Sequence, residues 1–386
     1  MKAFNGYSTN VDPAIAGYEA AKMAGNAKTA KLVFAYTSCD YDVAKVIEGI
    51  RKYYDCPIIG NTSFTGVIVP DGYISGENGF VGILTIAGND VKASVACVKK
   101  SNPTQNAVKL GEQVAKKALT DMEGNPTAMY MVGSPTEEEF YLKGITNVVG
   151  RIPLFGGSCA DNTIEGKWCL YANDTIVNEG VAVAFIYTEA KIANVFTGAY
   201  RETEDMGIIT KVDGHRTLVE IDHKPALKVF AKWTKTKPKA LLGGNLLSAT
   251  ITSPLGVKDR LGDLVAIRHP MNGNKDMSMN IGNKLAVGTC VVRMEASVDE
   301  LIKSVEKTIK ALNKKCDGTP AFYHLVHCGG RRAGIADRIN EVYKATKKAT
   351  NGVPFIMEFT FGEYGYEQDG RNTCGGLMLS FTAFSK

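Results

Sequence analysis

The chain holds no C-x-x-C pair, no apolar run long enough to cross a bilayer and no phosphate-binding glycine loop. Each absence removes a class of function. Its nine cysteines are odd in number and scattered, which argues against a disulfide framework or a zinc knuckle and for free thiols in a reducing compartment. The longest apolar stretches, such as residues 181–187, are strand-length, well below the ~20 residues a membrane helix needs. The opening MKAFNGYSTNVDPA has no apolar core ahead of a small-residue cleavage site, so no signal peptide is expected and a cytoplasmic location is. No G-x-G-x-x-G fingerprint or H-E-x-x-H pair is present, so neither cofactor nor metal is expected.

Charge of one sign is also missing. Lys and Arg total 45 against 40 Asp and Glu, and the lysine pairs 116–117, 314–315 and 347–348 fall near predicted helix ends. Only KTKPK at 235–239 forms a local run, and its proline marks an exposed loop. A nucleic-acid or membrane surface gathers basic charge into one patch, so neither is expected as a partner. What remains is globular: 386 residues, 45% apolar, with forty glycines against thirteen prolines, enough for two or three domains with many tight turns.

Self-similarity organises the chain. Residues 32–38 (LVFAYTS) read as a strand, followed by a helical stripe of Val43, Val46, Ile47, Ile50 and Tyr54, then PIIGNTS at 57–63 and GFVGIL at 79–84. The same order returns with AMYMVGS at 128–134, a stripe of Tyr141, Ile145, Val148 and Val149, PLFGGS at 153–158, and GVAVAF at 180–185. A third copy runs FYHLVHC at 322–328, Ile335, Ile339, Val342 and Tyr343, PFIM at 354–357, and GLML at 376–379. The spacing from Ser38 to Pro57 equals that from Ser134 to Pro153, and Pro57 to Gly79 equals Pro354 to Gly376. A degenerate fourth copy is expected around 254–257 and 285–292. Thr136 with Glu139, and Ser297 with Glu300, read as capping boxes for the helices that follow; a further helix is expected over 108–119. The fold class is therefore α/β, with two domains built from repeated strand–helix–strand units whose mixed sheets carry packed helices. Residues 1–200 would hold two repeats, and 201–386 one degenerate and one clear repeat.

These stretches resemble the FIST family, over roughly residues 31–384. The resemblance rests on PIIGNTSFTG at 57–66, PLFGGS at 153–158, the 208–227 segment ending HKPAL, SPLGV at 253–257, IRHP at 267–270, and HCGGRR at 327–332 with PFIMEFTFGEYG at 354–365. Relatives often carry Cys where this chain has Asn61, and a glycine-led version of its EFTFGE. The resemblance implies paired N- and C-terminal modules, a sensory role in signal transduction and small-molecule ligands that include amino acids. Since nothing in the sequence resembles a kinase, cyclase or DNA-binding output module, a separate output protein is expected as partner.

Candidate site residues follow from chemistry. At Cys328-Gly329-Gly330-Arg331 a strand ends, two glycines free the backbone and a helix begins, so amide N–H groups and a guanidinium converge on an anion. The same segment also fits a glycine turn with solvated arginines. Gly60-Asn61-Thr62-Ser63 and Gly156-Gly157-Ser158 read as hydroxyl-rich turns just past a strand, where open α/β folds hold ligands, or as turns whose hydroxyls satisfy local backbone. Arg268 and Glu363 are candidates to fix a zwitterion, or ion-pair partners. GGSCA at 156–160 nearly matches a nucleophile elbow, but turn sequence follows where an elbow needs a helix. His324, His327 and Cys328 lie on one strand with alternating faces, which argues against joint chelation. Cys328 is the best thiol candidate for catalysis. The leading function is a cytoplasmic sensor of a small anionic or zwitterionic ligand; the alternatives are a Cys-dependent enzyme acting on a small acid or amide, and an interaction scaffold.

Overall fold

The computed structural model describes residues 1–258, 264–366 and 371–385. Three copies of one unit surround a common centre. In each, a parallel pair of strands is joined through a helix: Ala30–Thr37 with Ile58–Thr62, Ala128–Gly133 with Leu154–Ser158, and Pro320–Cys328 with Phe355–Thr360. The registers agree with the repeated prolines. Val33 faces Ile58, Met129 faces Leu154 and Tyr323 faces Phe355, each partner being the residue after its proline. An antiparallel strand closes each unit on the other side: Val81–Ala87, Gly180–Thr188 and Leu379–Ser385.

The units are locked together by exchanged hairpins. The hairpin of the first unit, Val67–Val69 with Gly72–Ile74, joins the third unit's sheet through Phe355–Thr360. That of the second, Leu170–Ala172 with Thr175–Val177, joins the first through Ile58–Thr62. That of the third, Glu363–Gly365 with Thr373–Gly375, joins the second through Leu154–Ser158. The result is three six-stranded mixed sheets with helices outside. Phe34, Tyr130 and His324, one from each unit, pack ring to ring at the centre with centroids 4.9–5.2 Å apart.

Between Ile192–Thr197 and the helix Val298–Lys315 the chain inserts an eight-stranded antiparallel sheet. The fourth copy expected around 254–257 and 285–292 is this insert. Leu255–Lys258 pairs antiparallel with both Val265–Arg268 and Cys290–Glu295, and among the described residues no crossover helix makes a parallel unit. The Ser297–Glu300 capping box forms, with the side chain and backbone bonds both present. The Thr136–Glu139 box does not: Thr136 has φ 91°, the helix Glu138–Val149 starts two residues later, and Glu139 accepts from Arg216 and from Lys284 N instead. The expected helix over 108–119 is found as Ala107–Leu119.

Candidate functional site

The glycine–hydroxyl segments expected as turns are strand ends: Gly60, Asn61 and Thr62 close Ile58–Thr62 with Ser63 just beyond it, and Gly156, Gly157 and Ser158 close Leu154–Ser158. Asn61 and Thr62 continue the parallel ladder opposite Tyr36 and Thr37, as Gly157 and Ser158 do opposite Val132 and Gly133. Gly60 and Gly156 serve close strand packing, since a Cβ at either would stand 1.7 Å and 2.0 Å from the carbonyl oxygens of Ala35 and Met131. The polar side chains are committed. Thr62 Oγ1 accepts from Cys169 N at 3.0 Å, Ser63 Oγ accepts from Phe359 N at 2.9 Å and donates to Gly66 O at 2.8 Å, and Asn61 donates to Glu358 at 3.1 Å. Ser158 donates to Glu138 at 3.1 Å.

Arg331 is fully buried and turned into the protein. Its guanidinium donates to the carbonyls of Gly198, Leu301 and Leu377 and to Ser304 Oγ at 2.6 Å, fastening the root of the insert to the helix Val298–Lys315. It is expected from sequence to grip a ligand; here three backbone oxygens and Ser304 take its terminal nitrogens, and its Nε has no partner among the described residues. Nor is it among the residues lining the cavity that its neighbours Cys328, Gly329 and Gly330 reach. Arg268 likewise donates to Cys374 O at 3.1 Å and Ile267 O at 3.2 Å. Glu363 accepts from Met378 N at 2.8 Å and Thr360 Oγ1 at 3.0 Å, and burial pushes its carboxyl up to about 8.

Cys328, Gly329 and Gly330 do reach a cavity. It encloses about 480 Å³ where the carboxyl ends of the parallel strands meet the underside of the insert. This is the end of the sheets where α/β folds place ligands. Its floor is Gly329, Gly330 and Gly376. The body contributes Phe64, Trp168 and Phe361, and the insert roofs it with Leu247, His269, Met271 and Asn283. Cys328 is not poised for catalysis: Sγ accepts from Gly330 N at 3.2 Å, and burial drives its thiol far above the ordinary range, away from the thiolate.

One charged pair stands at the wall. Arg216, from the insert, donates to Glu138 and Glu139 at 2.6 Å each and to Gly282 O. Burial raises the Glu138 carboxyl despite the arginine beside it. His269 Nε2 lies 3.1 Å from Leu247 O, so it carries the proton, and burial pulls the imidazole down to about 4. Two buried polar atoms on the lining lack a hydrogen-bond partner among the described residues: Trp168 Nε1, a donor, and Asn283 Oδ1, an acceptor. Asn283 is only 2% exposed, so an unmet carbonyl oxygen there costs about 1–3 kcal/mol unless something bonds it. Backbone strain gathers at the same place. Thr136, Ile164 and Leu377 all line the cavity with φ of 91°, 61° and 54°, where β-branched and bulky residues rarely sit. The loop bearing Ile164 and Trp168 is held by Asp161, whose carboxylate accepts from the backbone N–H groups of Thr163, Ile164, Glu165 and Lys167.

Arg216, His269 and Phe361 were not singled out from sequence, yet each lies within a stretch that carried the family resemblance. Among the described residues no group of His, Cys, Asp and Glu could hold a metal ion, and no helix is long and apolar enough to cross a membrane.

No curated protein matches the chain. Among solved structures, a cyanuric acid hydrolase from A. caulinodans is similar at 8% identity, over 100% of this chain and 99% of that one, with a TM-score of 0.37. PurLQS from Thermotoga maritima is similar at 10% identity, over 100% of this chain and 72% of that one, with a TM-score of 0.23. Likenesses this distant carry no argument about chemistry. The family comparison is of a different order: the FIST N domain matches residues 31–224 and the FIST C domain residues 226–366, domains associated with sensory signal transduction. The chain therefore belongs to the FIST family.

Proposed function

We propose that this protein is a cytoplasmic sensor whose signal is a small zwitterion bound beneath the insert, and that it hands the signal to a separate output protein. The observation that carries the reading is the unpartnered Asn283 Oδ1 in the same cavity lining as the Glu138–Arg216 pair. An ammonium group would meet Asn283 Oδ1 and Glu138; a carboxylate would meet the Trp168 indole N–H and Arg216. Both signs of charge are provided for, which suits a zwitterion better than a simple anion, because Arg216 is already balanced by two carboxylates. The volume lies within the ~300–1,000 Å³ usual for small-molecule sites. The insert and the repeated body both contribute walls, so occupancy would change how tightly they hold each other, the differential contact a sensor requires. The raised Cys328 thiol gives the enzyme alternative no support.

The test is a thermal-shift screen of amino acids, small carboxylates and small amines, followed by calorimetry. A ligand at 100 times its Kd adds about 2.7 kcal/mol of stability. The expected result is a shift by zwitterions, weakened at least tenfold in affinity by Asn283→Ala. No shift from any compound, or a shift that Asn283→Ala leaves intact, defeats the reading.

A further inference from the structure

Three large aromatic side chains form a continuous wall on this cavity. Phe64 and Phe361 stand 5.9 Å apart between ring centroids, and Phe361 and Trp168 stand 6.0 Å apart, edge to face at 89°. Each comes from a different unit. Phe64 and Phe361 hold equivalent places, following the repeated prolines Pro57 and Pro354 at the same distance. None of the three is fully buried, although the neighbouring cores are tightly filled. All three line the cavity. The insert contributes the apolar side chains Leu247, Met271 and Ile281 to the same lining, beside its polar Thr217 and Asn280. Met271 adds a polarizable thioether, which packs well against ring edges.

From this we infer that the ligand's side chain is itself an aromatic ring, held between the Phe64–Phe361–Trp168 wall and Met271. The inference rests on the zwitterion reading for the ligand's other end and adds the class of its side chain. A small polar side chain would leave the wall facing water and forfeit its contacts. An aliphatic one would fill part of the volume but would gain no edge-to-face geometry against Phe361. A cationic side chain would bring a charge toward a lining whose Asp, Glu, Lys and Arg groups among the described residues are the already paired Glu138 and Arg216, at the cost of desolvation. A ring uses the apolar wall fully, while the two polar atoms of Trp168 and Asn283 remain free to take its charged end.

Titration calorimetry of the intact protein separates the two levels. The probes are L-phenylalanine, L-tryptophan, L-alanine and L-serine, with phenethylamine and 3-phenylpropanoate as ring-bearing compounds lacking one charge. The expected result is that phenylalanine or tryptophan binds at least roughly tenfold more tightly than alanine or serine. The Phe361→Leu variant, which keeps the bulk, and Phe361→Ala should each shrink that preference. Circular dichroism and melting establish that these variants fold, and Phe64→Leu repeats the test at the equivalent position. Alanine or serine binding as tightly as phenylalanine overturns the aromatic inference and leaves the zwitterion reading standing. Phenethylamine or 3-phenylpropanoate binding as tightly as phenylalanine overturns the zwitterion reading and leaves the wall its role. No binding by any probe overturns both.

Discussion

Asn61 donates its amide to Glu358 at 3.1 Å across the junction of the first and third units, and the two residues hold equivalent positions, each four places after its repeated proline. Tyr130 of the second unit completes the contact, 2.9 Å from Asn61 Oδ1 and 3.1 Å from Glu358 Oε1. A single phenol proton cannot serve both acceptors. The conflict vanishes when Glu358 is neutral: its own proton goes to Tyr130, Tyr130 donates to Asn61, and Asn61 donates back to Glu358. Burial pushes Glu358 up to about 8, so the neutral acid is the form that closes this ring.

A stability prediction follows with a definite sign. The carboxyl titrates near ~4.3 when unfolded and about 8 when folded, so between these values the folded chain holds a proton the unfolded chain has lost. Its stabilising contribution is complete below the unfolded value and declines as pH rises through the folded one. Glu358→Gln preserves the ring, with amide nitrogen to Tyr130 and oxygen from Asn61. The variant should match the parent near pH 5 and exceed it by a few kcal/mol at pH 8.5. Calorimetric melting at both pH values checks it, and a parent-to-variant gap that does not widen with pH would refute it. Comparing the two proteins removes titrations away from the substituted position, such as that of the buried His269, which acts in the opposite direction.

Arg331→Ala should destabilise the unliganded protein by about 3–5 kcal/mol, since buried acceptors left without a donor cost about 1–3 kcal/mol each and the lost side chain leaves a cavity. Three backbone carbonyls and Ser304 lose a donor, and a cavity opens beneath Tyr200. Chemical denaturation measures this directly. A loss below about 1 kcal/mol would mean the guanidinium is dispensable and free for other work.

Nine thiols should fall into two groups. Cys39, Cys56 and Cys290 are partly exposed, whereas the other six, Cys328 among them, are buried. Ellman titration of native protein should count at most three, slowly at Cys56, whose thiol burial pushes up to about 11. Denatured protein should give nine. Rapid native labelling of Cys328 would show the cavity floor to be far more open than this structure has it.

The repeated units were legible because local order sufficed: a proline entering a strand, a helical stripe and a glycine-led strand recur at fixed spacing. The hairpin exchange was not legible. Ile68 finds its partner Met357 in the last third of the chain, and nothing in either segment encodes which of three similar sheets it joins. The site was read in part for the same reason. Cys328, Gly329 and Gly330 were reachable as a strand end opening into a helix. Arg331 was misplaced because sequence gives a side chain's position but not the gap it turns into, here between Gly198 and Leu301. In IRHP the arginine drew attention, yet its neighbour His269 lines the cavity. Asn283 and Trp168 carry no local signal at all; only the roofing of the body by the insert makes their unpaired atoms meaningful.

Gly376→Ala tests the cavity without knowledge of its ligand's identity. Gly376 has no side chain, and its backbone lies outside the left-handed region, so alanine meets no conformational strain there. The added methyl would stand 3.2 Å from Asn283 Oδ1 and 3.4 Å from His269 Cβ, close enough that both must yield by a few tenths of an ångström. The hydrogen bond from Gly376 N to Ile267 O does not involve the new atom and should persist. Stability should therefore change by no more than about 1 kcal/mol, as for a modest overpacking. Binding should suffer as well, because the methyl crowds Asn283 Oδ1, the acceptor on the lining without a partner among the described residues. Any compound that stabilises the parent should bind the variant at least tenfold more weakly, equivalent to about 1.4 kcal/mol. Melting curves with and without that compound supply both numbers from one sample. A variant that melts like the parent and still takes the compound at full affinity would move the binding site away from the floor of this cavity.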